Sequence, residues 1–587
     1  MTRLRYTIDC IGTSIMAACM AFGTADPRNI RNGSVIPDEG YCDQPYMVIT
    51  KDGNWLCTFT TGKGIEGQLG QHVVASISTD KGKTWSDPPI DIEPADGPEA
   101  SWVMPLVTPS GRVYAFYAYN GDRIDTLGDK RGIRADMLGW YVYKYSDDNG
   151  RTWSDKRYRL PVRVTACDRT NDWQGKVQIM WGIGKPVVVG PSVFFGFTKL
   201  GRYMLDEGEG WFFRSDNILT EPDVEKIEWQ MLPEGEHGIR APEFGSVQEE
   251  HNLVGLSDGS LYCIYRTTTG YPCHVYSRDG GKTWTRPEHA VYTPGGRRIK
   301  NPRACPRLWQ AKNGKYLLWY HNHSGKDFND RNPAWVTGGV EKDGRIYWSQ
   351  PEILLWDPDP KIRMSYPDLI EQDGRCWVTE TQKEIARVHE VDPSLFEGLW
   401  DQGRAAEVTR RGLVLEQAPV MPGSDAGRVQ LPNLVEGEGF TIDMWIRFNE
   451  LEFDQVILSG QNEEGSGLRL LVTKTGTIGL ELSDGKELRS VWDTDTRVIK
   501  ADRLHHIVAI VEGGPKIIMF VVDGVLCDGG EDRQFGWGRF DAGLTDLGGT
   551  LPLHVPSSLK GAVKSLRIYA RPLRVSEAVS NYRAGLR

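Results

Sequence analysis

The first two thirds of the chain repeat one short pattern six times. An apolar stretch leads to a glycine turn, and a second apolar stretch follows and ends in polar side chains. The pattern runs Asp43 to Gly53 and Trp55 to Thr61, then Trp102 to Gly111 and Val113 to Asn120, then Gln178 to Gly190 and Ser192 to Lys199. It returns at Glu249 to Gly259 and Leu261 to Arg266, at Arg303 to Gly314 and Tyr316 to His323, and at Tyr366 to Gly374 and Cys376 to Lys383. Short runs rich in β-branched and aromatic residues, bounded by turn residues, predict strands paired as hairpins. Each pair supplies half of a four-stranded unit, between residues 30 and 400. Composition shifts at Asp401-Gln402-Gly403-Arg404. From 404 to 587 a second all-β region is predicted, with strands at Phe440 to Phe448, His505 to Val511, Ile517 to Val522 and Gly561 to Leu573.

Three units continue into the same eight residues, Ser-x-Asp-x-Gly-x-Thr-Trp. They are Ser78 to Trp85, Ser146 to Trp153 and Ser277 to Trp284. In such a turn the Asp carboxylate accepts backbone N–H groups and the Gly takes a positive φ. The Trp packs on a neighbouring element. Gly82 and Gly150 lie 68 residues apart, and Gly150 and Gly281 131 apart, close to twice that. A degenerate copy is therefore expected at Phe213-Arg214-Ser215-Asp216-Asn217, and a decayed one runs from Glu341 to Trp348. A fixed period means repetition of one supersecondary unit. The boxes are read as turns of the fold with no part in catalysis. This is the Asp-box signature, and the chain resembles the sialidase-type β-propellers. The resemblance implies an all-β, six-bladed β-propeller. The C-terminal region resembles the laminin-G-like or concanavalin-like jelly rolls, which implies a β-sandwich. Such sandwiches often bind glycans, and the alternative is a packing module that props the propeller.

At 587 residues the chain is too long for one core. A net charge of −10 without a basic run argues against a nucleic-acid partner. Ten Cys without paired spacing form neither a disulfide framework nor a zinc pattern, and Cys57, Cys263 and Cys376 are expected as buried strand thiols. His321 and His323 share a strand face but lack a third ligand, so no metal or other cofactor is expected. In residues 1–25, Arg3 and Arg5 precede the apolar run Ile11 to Phe22, and Gly23-Thr24-Ala25 suits cleavage. This predicts an export signal and a secreted or periplasmic protein. Met16-Ala17-Ala18-Cys19 offers an alternative, a lipid anchor through Cys19. No other stretch is apolar enough to cross a membrane.

In a propeller, side chains at the starts of the inner strands and at the ends of the second strands converge on one face. The starts offer Asp43, Trp102, Glu249, Glu250, Arg303 and Tyr366; the ends offer Lys199, Arg266, His321, His323 and Glu380. Arg gives planar bidentate contacts to a carboxylate. Tyr beside Glu can act as a nucleophile on an anomeric carbon. Glu249 and Glu250 point to opposite sides of a regular strand, so one faces the channel. Glu249 is expected to, because it and Asp43 both lie ten residues before a turn glycine.

The resemblance implies three arginines on a substrate carboxylate, a Tyr nucleophile with a Glu partner, and an Asp acid/base in the first blade. On this sequence Glu249-Glu250 and Arg266 look like the Glu and the second Arg, Arg303 like the third Arg, and Tyr366 like the nucleophile. Two positions depart from the pattern. Asp43, before Gln44-Pro45, stands where the first Arg is usual, and an anion there repels a carboxylate. The stretch Gly67 to His72, upstream of the first box, has no Asp. It offers His72 for proton transfer, with Gln71 beside it. The loop Gly121 to Met137 holds Arg123, Lys130, Arg131 and Arg134, which either contact an anionic glycan or are simply solvated. The sequence reading is an exported exo-glycosidase that hydrolyses a terminal, acidic or modified sugar from a glycan. One rival is a polysaccharide lyase on a uronate glycan using His72 and Tyr366. The other is a non-catalytic glycan-binding propeller.

Overall fold

The computed structural model describes residues 25–124, 134–171, 173–201 and 207–586. The export segment with Cys19, and Lys130 and Arg131, lie outside the described residues. Six antiparallel sheets of four or five strands succeed one another along the chain. The first is Tyr41–Ile49, Trp55–Gly62, His72–Ser78 and Ile90–Asp91, hydrogen-bonded in chain order. The next four begin at Ala100–Val107, Ile179–Trp181, Gln248–Gly255 and Arg307–Gln310. The sixth holds Leu369–Gln372, Arg375–Thr381 and Ala386–Val391, and takes its last strand, Ser34–Ile36, from the beginning of the chain. Strand Tyr41–Ile49 of the first sheet lies against Ala100–Val107 of the second and Arg375–Thr381 of the sixth. The arrangement is propeller-like, as the alternation predicts.

The Asp boxes join third to fourth strands and bond as their chemistry requires. Asp80 accepts the Thr84 amide at 2.9 Å and the Thr84 hydroxyl at 2.6 Å, while Ser78 Oγ takes the Gly82 amide at 2.8 Å. Asp148 and Asp279 repeat this with Thr152 and Thr283. Gly82, Gly150 and Gly281 all have φ between 80° and 88°, which a side chain resists. Cys57, Cys263 and Cys376 are buried free thiols.

The C-terminal third packs a seven-stranded sheet on a six-stranded one around a shared apolar core, the arrangement of a sandwich. Strands Leu504–Glu512 and Ile517–Val522 are apolar on both faces, and each face has its own partner. Ile507, Ala509, Val511, Ile518, Phe520 and Val522 fill the sandwich interior. Val508, Ile510, Met519 and Val521 pack instead with Tyr292, Trp335, Trp348 and Trp356 of the propeller. The unbroken run Ile517-Ile518-Met519-Phe520-Val521-Val522 is the sequence mark of a strand buried on both sides.

Candidate active site

The inner strands break their regular pairing at the same place in three sheets. Register shifts fall between Asp43 and Tyr46, Ser101 and Met104, and Glu249 and Asn252. Inside each shift one non-glycine residue takes a positive φ: Gln44 at 54°, Trp102 at 59° and Glu250 at 59°. Tyr366, at the start of the sixth sheet, does the same at 44°. Such bulges re-aim a side chain, and the backbone strain persists only where the surroundings hold it. Neighbouring sheets supply that hold. Thr60 Oγ1 accepts the Trp102 amide at 2.8 Å, and Thr198 Oγ1 accepts the Glu250 amide at 3.0 Å.

Trp102, Glu250 and Tyr366 thereby enter one cavity of about 310 Å³. Each of the six sheets, or a loop leaving it, contributes to the lining. Glu66 comes from the first, Trp102 and Arg134 from the second, and Trp181 and Ile183 from the third. Glu250 and Arg266 come from the fourth, Arg303, Phe328 and Arg331 from the fifth, and Arg363, Ser365, Tyr366, Gln382 and Lys383 from the sixth.

At the centre, the Tyr366 hydroxyl donates to Glu250 Oε1 at 2.8 Å. Arg266 donates to the same oxygen at 2.7 Å and is held from behind by Glu249 at 2.7 and 2.9 Å. Burial and the adjacent Glu250 charge push the Tyr366 phenol well above its ordinary pKa, with Arg266 and Arg331 opposing. The phenol is protonated at rest, and Glu250 is the group placed to receive its proton. On the first-sheet side, Lys383 Nζ is 2.6 Å from Asp43, 3.4 Å from Glu66 and 4.5 Å from the Tyr366 ring centre. Arg134 joins Glu66 at 3.1 Å and Asp136 at 3.0 Å. Burial raises the Asp136 carboxyl to about 6 against the pull of Arg134. Burial acts the same way on Glu66, but Lys383 and Arg134 outweigh it and keep that carboxyl ionised.

Three lining arginines have no carboxylate partner among the described residues. Arg331 donates to Ser365 Oγ at 2.7 Å and to the Arg303 carbonyl at 2.8 Å. The Nε atoms of Arg303 and Arg331 are buried without partners. Burial lowers the pKa of both, with Arg266 adding to it. Arg363 lies over the Phe328 ring at 5.1 Å. Arg363 is exposed, but Arg331 is buried and Arg303 partly so, and a buried cation without counter-charge is costly unless an anion completes it.

Several sequence expectations change. Both glutamates reach Arg266, since the bulge removes the strict alternation, and it is Glu250 that lines the cavity. Asp43 does correspond in register to Glu249, and each stands one residue before the positive-φ residue of its bulge, but of Gln44 and Glu250 only Glu250 lines the cavity. Asp43 is not a bare anion, because Lys383 caps it. His72 is buried outside the cavity, its Nδ1 3.4 Å from the Gly70 carbonyl. Neighbouring Gln71 bonds the Ile65 carbonyl at 3.3 Å. Lys199 is fully buried and committed to Asp168, the Arg163 carbonyl and Thr165. His321 is buried against the Pro333 carbonyl and lies outside the lining. The sequence reading missed Arg331, Arg363, Lys383 and Glu66. Glu66 stands one residue before the stretch searched for an acid. Arg331 and Arg363 sit in loops, away from the strand ends that guided the search.

Residues 226–378 match the BNR repeat-like domain family, and residues 423–578 match the concanavalin A-like lectin/glucanases superfamily. No curated protein matches the chain. Among solved structures, Trypanosoma rangeli sialidase in complex with sialic acid is 13% identical at a TM-score of 0.44, over 94% of this chain and 96% of that one. The same enzyme with 2,3-difluorosialic acid, a covalent intermediate, is 14% identical at 0.45, over 94% and 96%. A Dyadobacter fermentans protein of unknown function is 16% identical at 0.46, over 61% of this chain and 98% of that one. These are likenesses of chain path; the chemistry rests on the side chains of the cavity. The BNR repeat-like match thus falls within the propeller-like part of the chain, and the concanavalin A-like match within the C-terminal sandwich.

Proposed function

We propose that this chain is an exo-acting glycosidase of sialidase type, taking a terminal sugar that carries a carboxylate. The observation that carries the reading is the placement of Arg303 and Arg331, short of negative charge, beside the Tyr366–Glu250 pair. The arginines hold the carboxylate by charge-assisted hydrogen bonds. Tyr366 attacks the anomeric carbon as Glu250 takes its proton and the glycosidic C–O bond breaks, the aglycone leaving as an oxyanion that solvent protonates; water then cleaves the glycosyl-tyrosine bond, and Glu250 returns the proton to the tyrosine. Glu66, ionised beside Lys383 and Arg134, serves as base for that water.

The test is turnover of aryl glycosides of carboxylate-bearing and neutral sugars by wild type and Tyr366→Phe. The reading expects release from the acidic series alone and its loss in the variant. Equal turnover by the variant, or none by wild type, sinks it. An unsaturated product absorbing in the near ultraviolet would replace hydrolysis by elimination, with Tyr366 and without His72.

A further inference from the structure

Resting on that reading, we infer that the C-terminal sandwich is a working part of the cavity, because its loop 527–539 holds the arginine-bearing segment 323–333 in place. His323 is the hinge of the contact. It pairs with Phe535 as an isolated antiparallel bridge, their rings 4.7 Å apart. The Ser324 amide donates to the Gln534 carbonyl at 3.2 Å. His323 Nδ1 accepts from Gln534 Nε2 at 3.2 Å and from the Gly325 amide at 3.1 Å. With Nδ1 accepting twice, Nε2 carries the proton, and it faces the Asp330 carbonyl at 2.9 Å. One imidazole thus staples both ends of segment 325–330, and a sandwich side chain helps fix its orientation.

The same loop grips the segment elsewhere. Trp537 Nε1 donates to the Asn322 carbonyl at 3.2 Å, and Arg539 donates to the Asn332 carbonyl at 2.8 Å. Arg331 therefore stands between two carbonyls whose positions depend on His323 and Arg539. The Arg303 amide donates to the Asp327 carbonyl at 2.9 Å, inside the stapled segment. Arg331 in turn donates to the Arg303 carbonyl. Both guanidinium groups of the anion cradle are tied to a segment that the other domain braces, although no sandwich residue among the described residues lines the cavity. Gln534 and Arg539 are positioning residues. A small displacement of a clamp costs far more in binding and rate than its distance from the chemistry suggests.

Gln534→Ala and Arg539→Met in the full chain test this. Amide hydrogen exchange across 323–333 should quicken in both variants while the propeller strands keep their protection. With an acidic aryl glycoside KM should rise about tenfold, kcat staying within about threefold, as expected for lost orientation of a binding group. Binding or turnover of the carboxyl-reduced sugar should not change. Gln534→Glu, which removes the donor but keeps the shape, should resemble the alanine variant, and Arg539→Lys should restore part of the loss. Unchanged exchange in 323–333, or equal penalties on acidic and reduced substrates, overturns the inference. Faster exchange in a protein that turns over no acidic glycoside would support the brace and sink the proposed function alone.

Discussion

Lys383 Nζ lies 2.6 Å from Asp43 Oδ2 and 4.5 Å from the centre of the Tyr366 ring. One ammonium group thus cancels the anion that the first strand brings to the site and borders the phenol proposed as nucleophile. Lys383→Met should leave a buried carboxylate uncompensated and cost on the order of 3 kcal/mol in stability. Asp43→Arg should not repair the family pattern. It sets a guanidinium against Lys383, and kcat/KM should fall about tenfold or more through like-charge repulsion. Thermal midpoints and steady-state kinetics check both. A gain of activity in Asp43→Arg would show that Lys383 does not act as the cap.

Tyr366→Phe should reduce kcat by about a thousandfold or more, with affinity for a non-hydrolysed acidic sugar kept within about threefold, because only covalent chemistry is lost. Titration calorimetry with the inactive variant measures the affinity. A parallel loss of binding would mean that the hydroxyl holds Glu250 and Arg266 in place and does no chemistry itself.

Arg331→Ala should raise KM for acidic substrates about ten- to a hundredfold, the value of one or two charge-assisted hydrogen bonds. Neutral analogues should be indifferent to the change. Equal losses on both kinds of substrate would remove Arg331 from the anion cradle.

Glu66 is ionised in the free protein and so offers no proton to a departing oxygen, while the proton of Tyr366 passes to Glu250. Aryl glycosides, whose leaving groups need none, should turn over about a hundredfold or more faster than alkyl glycosides, since general-acid help is worth that much. A flat dependence of kcat on leaving-group pKa would expose an acid that this assignment lacks.

Glu352 accepts the Val575 and Ser576 amides at 2.9 and 2.8 Å, joining the propeller to the start of helix Val575–Ala584. Burial raises its carboxyl to about 7, against those amides and Arg574. A folded pKa above the unfolded one means that the native state holds the proton more tightly. The contribution is then complete below the unfolded value near 4.5 and is lost as pH rises to about 7. The thermal midpoint should fall over that window, and Glu352→Gln should flatten the slope. An unchanged slope in the variant would assign the effect elsewhere.

Much of the architecture was legible because it follows local chemistry. The Asp boxes announced their turns through Ser, Asp and Gly at fixed offsets, and the strand pairs through alternation. The site was only half legible. Strand-start logic found Trp102, Glu250 and Tyr366 but chose Glu249 to face the channel, since period-two alternation cannot foresee a bulge. It also promoted His72, Gln71, Lys199 and His321, whose polar groups serve local backbone or a buried ion pair. Arg331 could not be found this way. It sits in a loop whose path is fixed by His323 and by residues some two hundred positions further on, and no short-range pattern carries that information.

The apolar layer shared by Val508, Ile510, Met519 and Val521 with Trp335 and Trp356 also governs how the chain can be divided. Severing it near residue 403 would wet a broad greasy plate on either fragment, and such plates attract one another. The two halves should therefore melt in one transition and resist separate expression, so that what the sequence writes as two modules behaves in solution as a single cooperative body.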